Sequence, residues 1–73
     1  MHKIKKRVMD GETVVWWNED REMQVRKGIL SNSNRFVVII NGKCVFSSKR
    51  WENVAKEIKY EISFHGLEED KKK

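Results

Sequence analysis

Few side chains in this sequence are of the types that perform covalent chemistry or hold a metal ion. The two histidines, His2 and His65, stand near opposite ends of a 73-residue chain, and neither belongs to a cysteine or carboxylate set at metal-ligand spacing. The single cysteine, Cys44, lies in an apolar segment, where a cysteine is normally a small core side chain. We therefore expect no metal, no cofactor and no catalytic nucleophile, although acid–base catalysis by carboxylates leaves little trace in a sequence.

The basic residues carry the stronger functional signal. The chain has 16 lysine and arginine residues and 11 acidic residues, which give a net charge of +5 at pH 7. A domain of about this size buries only ~60% of its unfolded surface, so a deep substrate cavity is not expected. We predict that the protein is not an enzyme and that it acts by binding a partner on its surface.

Two groups of basic residues accompany apolar or aromatic side chains and form the candidate partner-binding site. The first group lies at the amino terminus, where a hairpin register would place Lys5 beside Trp16. The second group follows the central strands and would form a basic corner. The candidate residues are Lys3, Ile4, Lys5, Lys6, Arg7, Trp16, Lys43, Lys49 and Arg50. Basic side chains also commonly cover apolar sheet surface and protect edge strands, so a purely structural role stays open.

The element that organises the rest of the chain is a central hairpin. Asn41-Gly42 stands between two apolar runs, and this dipeptide favours a two-residue type I′ turn, which needs positive φ at both positions. That turn would place Ile39 opposite Cys44 and Val37 opposite Phe46 on one wholly apolar face. We predict that this face of the hairpin lies in the core.

A helix is predicted directly after this hairpin. Ser48 is a suitable N-cap, apolar residues recur at helical spacing from Trp51 to Ile62, and Gly66 is a suitable end. The apolar stripe of this helix is expected to pack on the hairpin. The predicted core consists of Val14 or Val15 with Met23, Val25, Ile29, Val37, Ile39, Cys44, Phe46, Trp51, Val54, Ala55 and Ile58.

The amino-terminal half is predicted to add further antiparallel strands. Residues 3–9 alternate between charged and apolar types, and Asp10-Gly11 favours a second two-residue hairpin into residues 12–17. Another strand follows over residues 23–30, in which Gly28 marks a bulge or bend. We therefore predict an α+β fold: an antiparallel β-meander of four to five strands with one C-terminal α-helix packed on a face.

Residues 1–66 are predicted to form a single globular domain. Residues 67–73 are almost entirely charged and are predicted to be a disordered tail. No apolar run approaches the ~18 to 20 residues that span a bilayer, and no apolar segment follows the basic amino terminus as in a signal peptide. A chain with one cysteine also has no internal disulfide. We expect a monomer in the cytoplasm that does not bind membranes.

Two classes of partner fit a small basic domain of this kind. A nucleic-acid-binding module would combine basic surface with exposed aromatic side chains that stack on bases. However, Trp16 and Trp17 point to opposite faces of one strand, and the interspersed acidic residues dilute the positive field. A protein-interaction module would use a strand edge or groove, with cations that steer it to an acidic target. We favour the protein-interaction class and keep the nucleic-acid-binding module as the alternative.

The whole chain also resembles a known family. Its size, the basic segment from His2 to Arg7, the tryptophan-bearing strand and the closing helix are similar to small lytic-bacteriophage regulators of host RNA polymerase, as found in a Xanthomonas phage. The resemblance implies binding to the largest subunit of RNA polymerase, near its amino terminus and the RNA exit channel. It also implies inhibition of initiation and suppression of termination. From the residues themselves we expect at most a weak direct contact with nucleic acid.

Overall fold

Five antiparallel strands and two helices form the fold in a computed structural model that describes residues 1–28 and 35–69. The elements in chain order are α1 (His2–Met9), β1 (Val14–Trp17), β2 (Glu22–Lys27), β3 (Phe36–Ile40), β4 (Lys43–Ser48), α2 (Trp51–His65) and β5 (Glu68–Glu69). The strands make one sheet in the order β4-β3-β2-β1-β5. The predicted α+β class, with an antiparallel sheet and a C-terminal helix, is confirmed, and α1 is an additional helix that the sequence analysis did not predict.

Both helices pack on the same face of the sheet. Helix α1 contacts β1 and β2, while α2 contacts β3 and β4. Alternate residues of the three central strands point toward the helices, as the period of two in a strand requires. The buried core consists of Val8, Val14, Trp16, Met23, Val25, Phe36, Val38, Ile40, Val54, Ile58 and Leu67, with Ile4, Phe46, Trp51 and Ile62 packed against it.

The predicted amino-terminal hairpin is wrong, because residues 2–9 are helical. Ile4 and Val8 are four residues apart, a spacing that places two side chains on one face of a strand and also on one face of a helix. Gly11 has φ of 97° and ends α1. Its N–H donates to the Val8 carbonyl, and the Glu12 N–H donates to the Arg7 carbonyl, both at 3.0 Å, as in a Schellman motif. The glycine therefore serves a helix end, and β1 pairs with β2 and β5 instead.

The central turn forms as predicted. Asn41 and Gly42 have φ of 50° and 87°, the positive values that a type I′ turn needs. Ile39 lies opposite Cys44, also as predicted. One residue farther on, the register shifts, so that Val38 lies opposite Phe46 and the extra residue on β4 forms a β-bulge. The predicted pairing of Phe46 with Val37 is therefore wrong.

This bulge decides which face of β3 is buried. It moves Phe46 to the side of Val38, so that side becomes the apolar one that packs on α2. The predicted core residues Val37, Ile39 and Cys44 belong to the other side, and Cys44 is exposed. Among the other predicted core residues, Met23, Val25, Val54 and Ile58 are confirmed, Val14 is buried while Val15 is only half-buried, and Ile29 lies outside the described residues.

The two ends of α2 differ in how well they were predicted. The helix begins at Trp51, not after Ser48, and it has no side-chain N-cap hydrogen bond. The Ser48 hydroxyl instead accepts hydrogen bonds from the Arg50 N–H at 3.1 Å and from Asn53 Nδ2 at 3.2 Å, just before and within the first turn. Gly66, with φ of 65°, ends the helix as predicted.

The chain beyond Gly66 returns to the sheet. Leu67 is buried, and Glu68 and Glu69 pair with Trp17 and Trp16 of β1. The predicted domain boundary after residue 66 is therefore wrong for residues 67–69, which belong to the folded domain. The rest of the predicted tail, residues 70–73, lies outside the described residues.

Candidate functional site

Three lysines of the predicted amino-terminal site are exposed on α1. Lys3, Lys5 and Lys6 form no ion pair with any carboxylate of residues 1–28 and 35–69. Ile4, which lies between them in sequence, packs against the core. The three lysines therefore have charges that are available to a partner. They stand on a helix, however, so the predicted edge strand that would receive a partner strand does not exist at this position.

Arg7 and Trp16, which were predicted to belong to the same site, serve the fold instead. Arg7 Nε donates to Glu12 Oε1 at 2.9 Å, and its Nη1 donates to Glu69 Oε2 at 2.8 Å, which ties α1 to β5. These hydrogen bonds, Glu12 first, raise the pKa of Arg7 above its ordinary value. Trp16 is only 4% exposed, so its ring lies in the core and is not accessible to a partner. The predicted contact of Lys5 with Trp16 across a hairpin is therefore wrong.

The predicted basic corner is divided between the two ends of β4. Lys43 is the first residue of β4, while Lys49 and Arg50 follow its last residue. At ~3.3 Å per residue, the six steps from Lys43 to Lys49 span roughly 20 Å. All three side chains are exposed, but they do not form one compact site.

A basic and aromatic surface on the helical side was missed by the sequence analysis. A shallow depression between α1 and α2 is lined by Lys5, Lys56 and Lys59 together with other residues of both helices. A second depression adjoins it along α2, where Lys56 and Lys59 meet Tyr60 and Phe64. We term Lys5, Lys56, Lys59, Tyr60 and Phe64 the helix surface. Their spacing of three and four residues on α2 was the available signal, because it places them away from the core stripe.

Tyr60 and Phe64 form an exposed aromatic stack at one end of this surface. Their ring centroids are 5.4 Å apart with an interplanar angle of 9°. Tyr60 is 56% exposed and Phe64 is 68% exposed. Phe64 also meets the His65 ring edge to face, with centroids 4.8 Å apart. Each ring is therefore more than half accessible to solvent, and neither is part of the hydrophobic core.

Polar contacts hold the end of α2 that carries this stack. Glu61 is 5% exposed, and its Oε1 accepts a hydrogen bond from Arg21 Nε at 3.1 Å. His65 Nε2 lies 3.6 Å from the same oxygen. Asn18 Nδ2 donates to the His65 carbonyl at 2.7 Å. Since these groups join α2 to the segment between β1 and β2, the last turns of the helix are fixed against the sheet.

A second surface is the face of the sheet that lies opposite the helices. The register aligns Val15, Gln24, Ile39 and Cys44 across four adjacent strands. Val15 and Ile39 are half-buried, and Cys44 is exposed. Trp17 and Val37 belong to the same face. We term Val15, Trp17, Val37, Ile39 and Cys44 the sheet surface. No helix of the described ranges packs over it.

Other kinds of site find less support in the described residues. Within them, no group of three or more His, Cys, Asp or Glu side chains is arranged to hold a metal ion. None of the helices among them has the length and apolar character needed to cross a membrane. Comparisons with protein families, with curated proteins and with solved structures gave no match to this chain. The candidate sites are therefore the helix surface and the sheet surface.

Proposed function

We propose that this protein is a non-catalytic binding protein that regulates transcription by binding host RNA polymerase, where it inhibits initiation, suppresses termination, or does both. The observation that carries the proposal is the sheet surface, where apolar side chains of β1, β3 and β4 lie on either side of the polar residues of β2 and no described helix covers them. Apolar area removed from water supplies roughly 25 cal/mol per Å². Such a surface favours a protein partner over a small polar substrate.

The arrangement of the sheet surface supports a specific contact. Single exposed apolar residues are common on soluble proteins, but Val37 and Ile39 share one face of β3 with Cys44 of the adjacent β4, and Val15 lies on the same face of β1, across Gln24 of β2. Trp17, which is 50% exposed, stands at one end and offers the kind of aromatic anchor that is enriched at protein interfaces. Together they provide apolar side chains on both sides of a polar strand, with a bulky ring at one end that a partner can enclose.

The net positive charge of the chain favours an acidic partner, while the sheet surface itself carries both Arg26 and Glu22, which lies opposite Trp17. Arg26 lies opposite Val37 in the sheet, and no carboxylate of the described segments pairs with it. With a net charge of +5, the chain is attracted to an acidic protein surface before contact is made. The choice of RNA polymerase rests on the resemblance to small phage regulators. It places the proposed action in the cytoplasm of a host cell, with the protein acting as a monomer.

The test is capture of purified RNA polymerase, free of nucleic acid, by the immobilised protein at low and at physiological salt. Trp17→Ala is expected to weaken capture by about 30-fold, as for an interface hot spot. Phe64→Ala is the matched control, because it also removes an exposed aromatic ring but lies on the helix surface. The captured enzyme is then assayed for promoter initiation and for read-through of a terminator. If the parent protein does not capture polymerase, RNA polymerase is not the partner. If Trp17→Ala captures polymerase as well as the parent does, the sheet surface is not the binding site.

A further inference from the structure

We propose that the helix surface is a binding site for single-stranded nucleic acid. In this proposal the Tyr60–Phe64 stack receives an unpaired base, while Lys56, Lys59 and Lys5 contact the phosphates of the strand that continues along the helices from that base. It goes beyond the proposed function, because it assigns a second ligand class to the opposite side of the domain.

The aromatic stack supplies the contact with a base. The two rings are nearly parallel at 9°, and each is more than half exposed. A nucleic-acid base that extends this stack contacts a flat ring face without displacing any core side chain. Sites that bind single strands use such aromatic side chains, and removing one weakens binding by roughly 5- to 150-fold per stacked base.

The lysines supply the contact with phosphates. Lys56 precedes Tyr60 by one helical turn, so it lies ~6 Å along the axis of α2 from the stack. Lys59 lines both adjoining depressions, and Lys5 extends the basic lining to α1. No acidic side chain in the described parts of the chain forms an ion pair with any of these three lysines. Glu52 lines the depression between the helices, so it reduces the positive charge there without cancelling it.

The combination of an aromatic stack with lysines favours single-stranded nucleic acid over a duplex or an acidic protein. In a duplex the base faces are already stacked on one another, so the exposed rings have nothing to receive. An acidic protein would be attracted by the lysines but would gain little from two parallel rings. A single strand carries both a phosphate chain and unpaired base faces, and these match the two components of the helix surface.

The position of the stack is set before any ligand binds. Glu61 and His65 fix the carboxyl-terminal half of α2 through Arg21 and Asn18, and Tyr60 and Phe64 lie on the outward side of that same half. A rigid helix that presents the rings loses little conformational freedom on binding. The rings are therefore presented in a fixed position for stacking.

The test measures fluorescence anisotropy of labelled uridine and thymidine oligonucleotides of about 12 nucleotides, and of a duplex of the same length, at about 50 mM salt. The single strands are expected to bind more tightly than the duplex. Tyr60→Ala and Phe64→Ala are each expected to weaken single-strand binding by at least about 5-fold. Trp17→Ala is the matched control and is expected to leave this affinity unchanged. Thermal unfolding of each variant confirms that the exposed positions tolerate the substitution.

The lysines are tested by the salt dependence of the same binding. Lys56→Ala and Lys59→Ala are each expected to reduce the slope of log affinity against log salt by about 0.7, the value for one phosphate contact on a single strand. Lys43→Ala removes the same charge elsewhere and should leave the slope less changed. The comparison of the uridine and thymidine strands decides between RNA and DNA.

Three results overturn the inference. The first is equal affinity of the parent, Tyr60→Ala and Phe64→Ala for single strands, and the second is preference for the duplex. The third is binding of labelled polyglutamate by a protein that does not bind the single strands at about 50 mM salt. The last result would assign the surface to an acidic protein. Since Trp17→Ala tests the sheet surface with polymerase and Phe64→Ala tests the helix surface with oligonucleotides, failure of one proposal is distinguishable from failure of the other.

Discussion

Replacing Val38 with alanine tests which face of β3 lies in the core. Val38 is fully buried against the helices, whereas its neighbour Val37 is half-buried on the sheet surface. Truncating Val38 removes two methyl-sized groups, which costs ~1.6 kcal/mol at ~0.8 kcal/mol each. A residual cavity of a few tens of Å³ adds roughly 1 kcal/mol. We therefore expect Val38→Ala to lower the free energy of unfolding by about 2 to 3 kcal/mol.

Val37→Ala is the matched control, because it makes the same change one residue away in the same strand. It loses the same β-propensity but less buried area, so its expected cost is below about 1 kcal/mol. The assay is urea unfolding followed by tryptophan fluorescence, with thermal unfolding alongside. At ~4 to 8 °C per kcal/mol, the melting temperature should fall by roughly 10 to 20 °C for Val38→Ala and by only a few degrees for Val37→Ala.

The opposite order of effects would refute the reasoning. If Val37→Ala cost as much as Val38→Ala or more, the buried face would be the one that the unbulged hairpin register predicts. The sheet surface would then be part of the interior, and the proposed function would lose the observation that carries it.

Two further predictions concern the anchors of α2. Arg21→Ala leaves the buried Glu61 carboxylate without its cation, and the expected loss is about 2 to 3 kcal/mol, less than for a fully buried pair because Arg21 is partly exposed. The double variant Arg21→Ala/Glu61→Gln should recover part of that loss in urea unfolding, and no recovery would argue against a charge effect. Trp51→Ala removes a ring that meets Phe36 at 5.2 Å and 72°, for an expected loss of about 3 kcal/mol. A melting temperature within a few degrees of the parent would show that Trp51 contributes little to the core.

Sequence reasoning succeeded where a local conformation decides the structure. Asn41-Gly42 and Gly66 adopt the positive φ that their residue types favour, at a turn and at a helix end. The alternation at Trp16 and Trp17 likewise placed the two rings on opposite faces, and the structure buries the first and half-exposes the second. Each of these features depends on residues that are adjacent in sequence.

Sequence reasoning failed where the conformation of a segment depends on its contacts with distant parts of the chain. Asp10-Gly11 suits a hairpin turn and a helix end equally, and Ile4 and Val8 fit both periods. The strand that pairs with β1 from the other side is Glu68–Glu69, at the far end of the chain, and two acidic residues give no strand signal. With that position on the sheet occupied by β5, the amino-terminal segment forms a helix that packs over β1 and β2.

The candidate site was predicted only in part, again because some of its residues are brought together by the packing of distant segments. Lys3, Lys5 and Lys6 were identified because they cluster in sequence, and they are exposed as a binding role requires. The helix surface joins Lys5 to Lys56 and Lys59 through the packing of α1 beside α2, which no local pattern predicts. Once the phase of α2 is known, however, the four-residue spacing of Tyr60 and Phe64 makes their stack readable from the sequence.

The sequence of β3 gives an independent reason to expect an occupant on the sheet surface. All five residues from Phe36 to Ile40 are apolar, and continuous apolar strands are typical of sheets that are covered on both faces. A strand that faces water on one side normally alternates with polar residues instead. Here α1 and α2 cover only one face of the sheet within the described residues. The apolar residues on the other face, Val37 and Ile39, are therefore the ones that the proposed partner would cover.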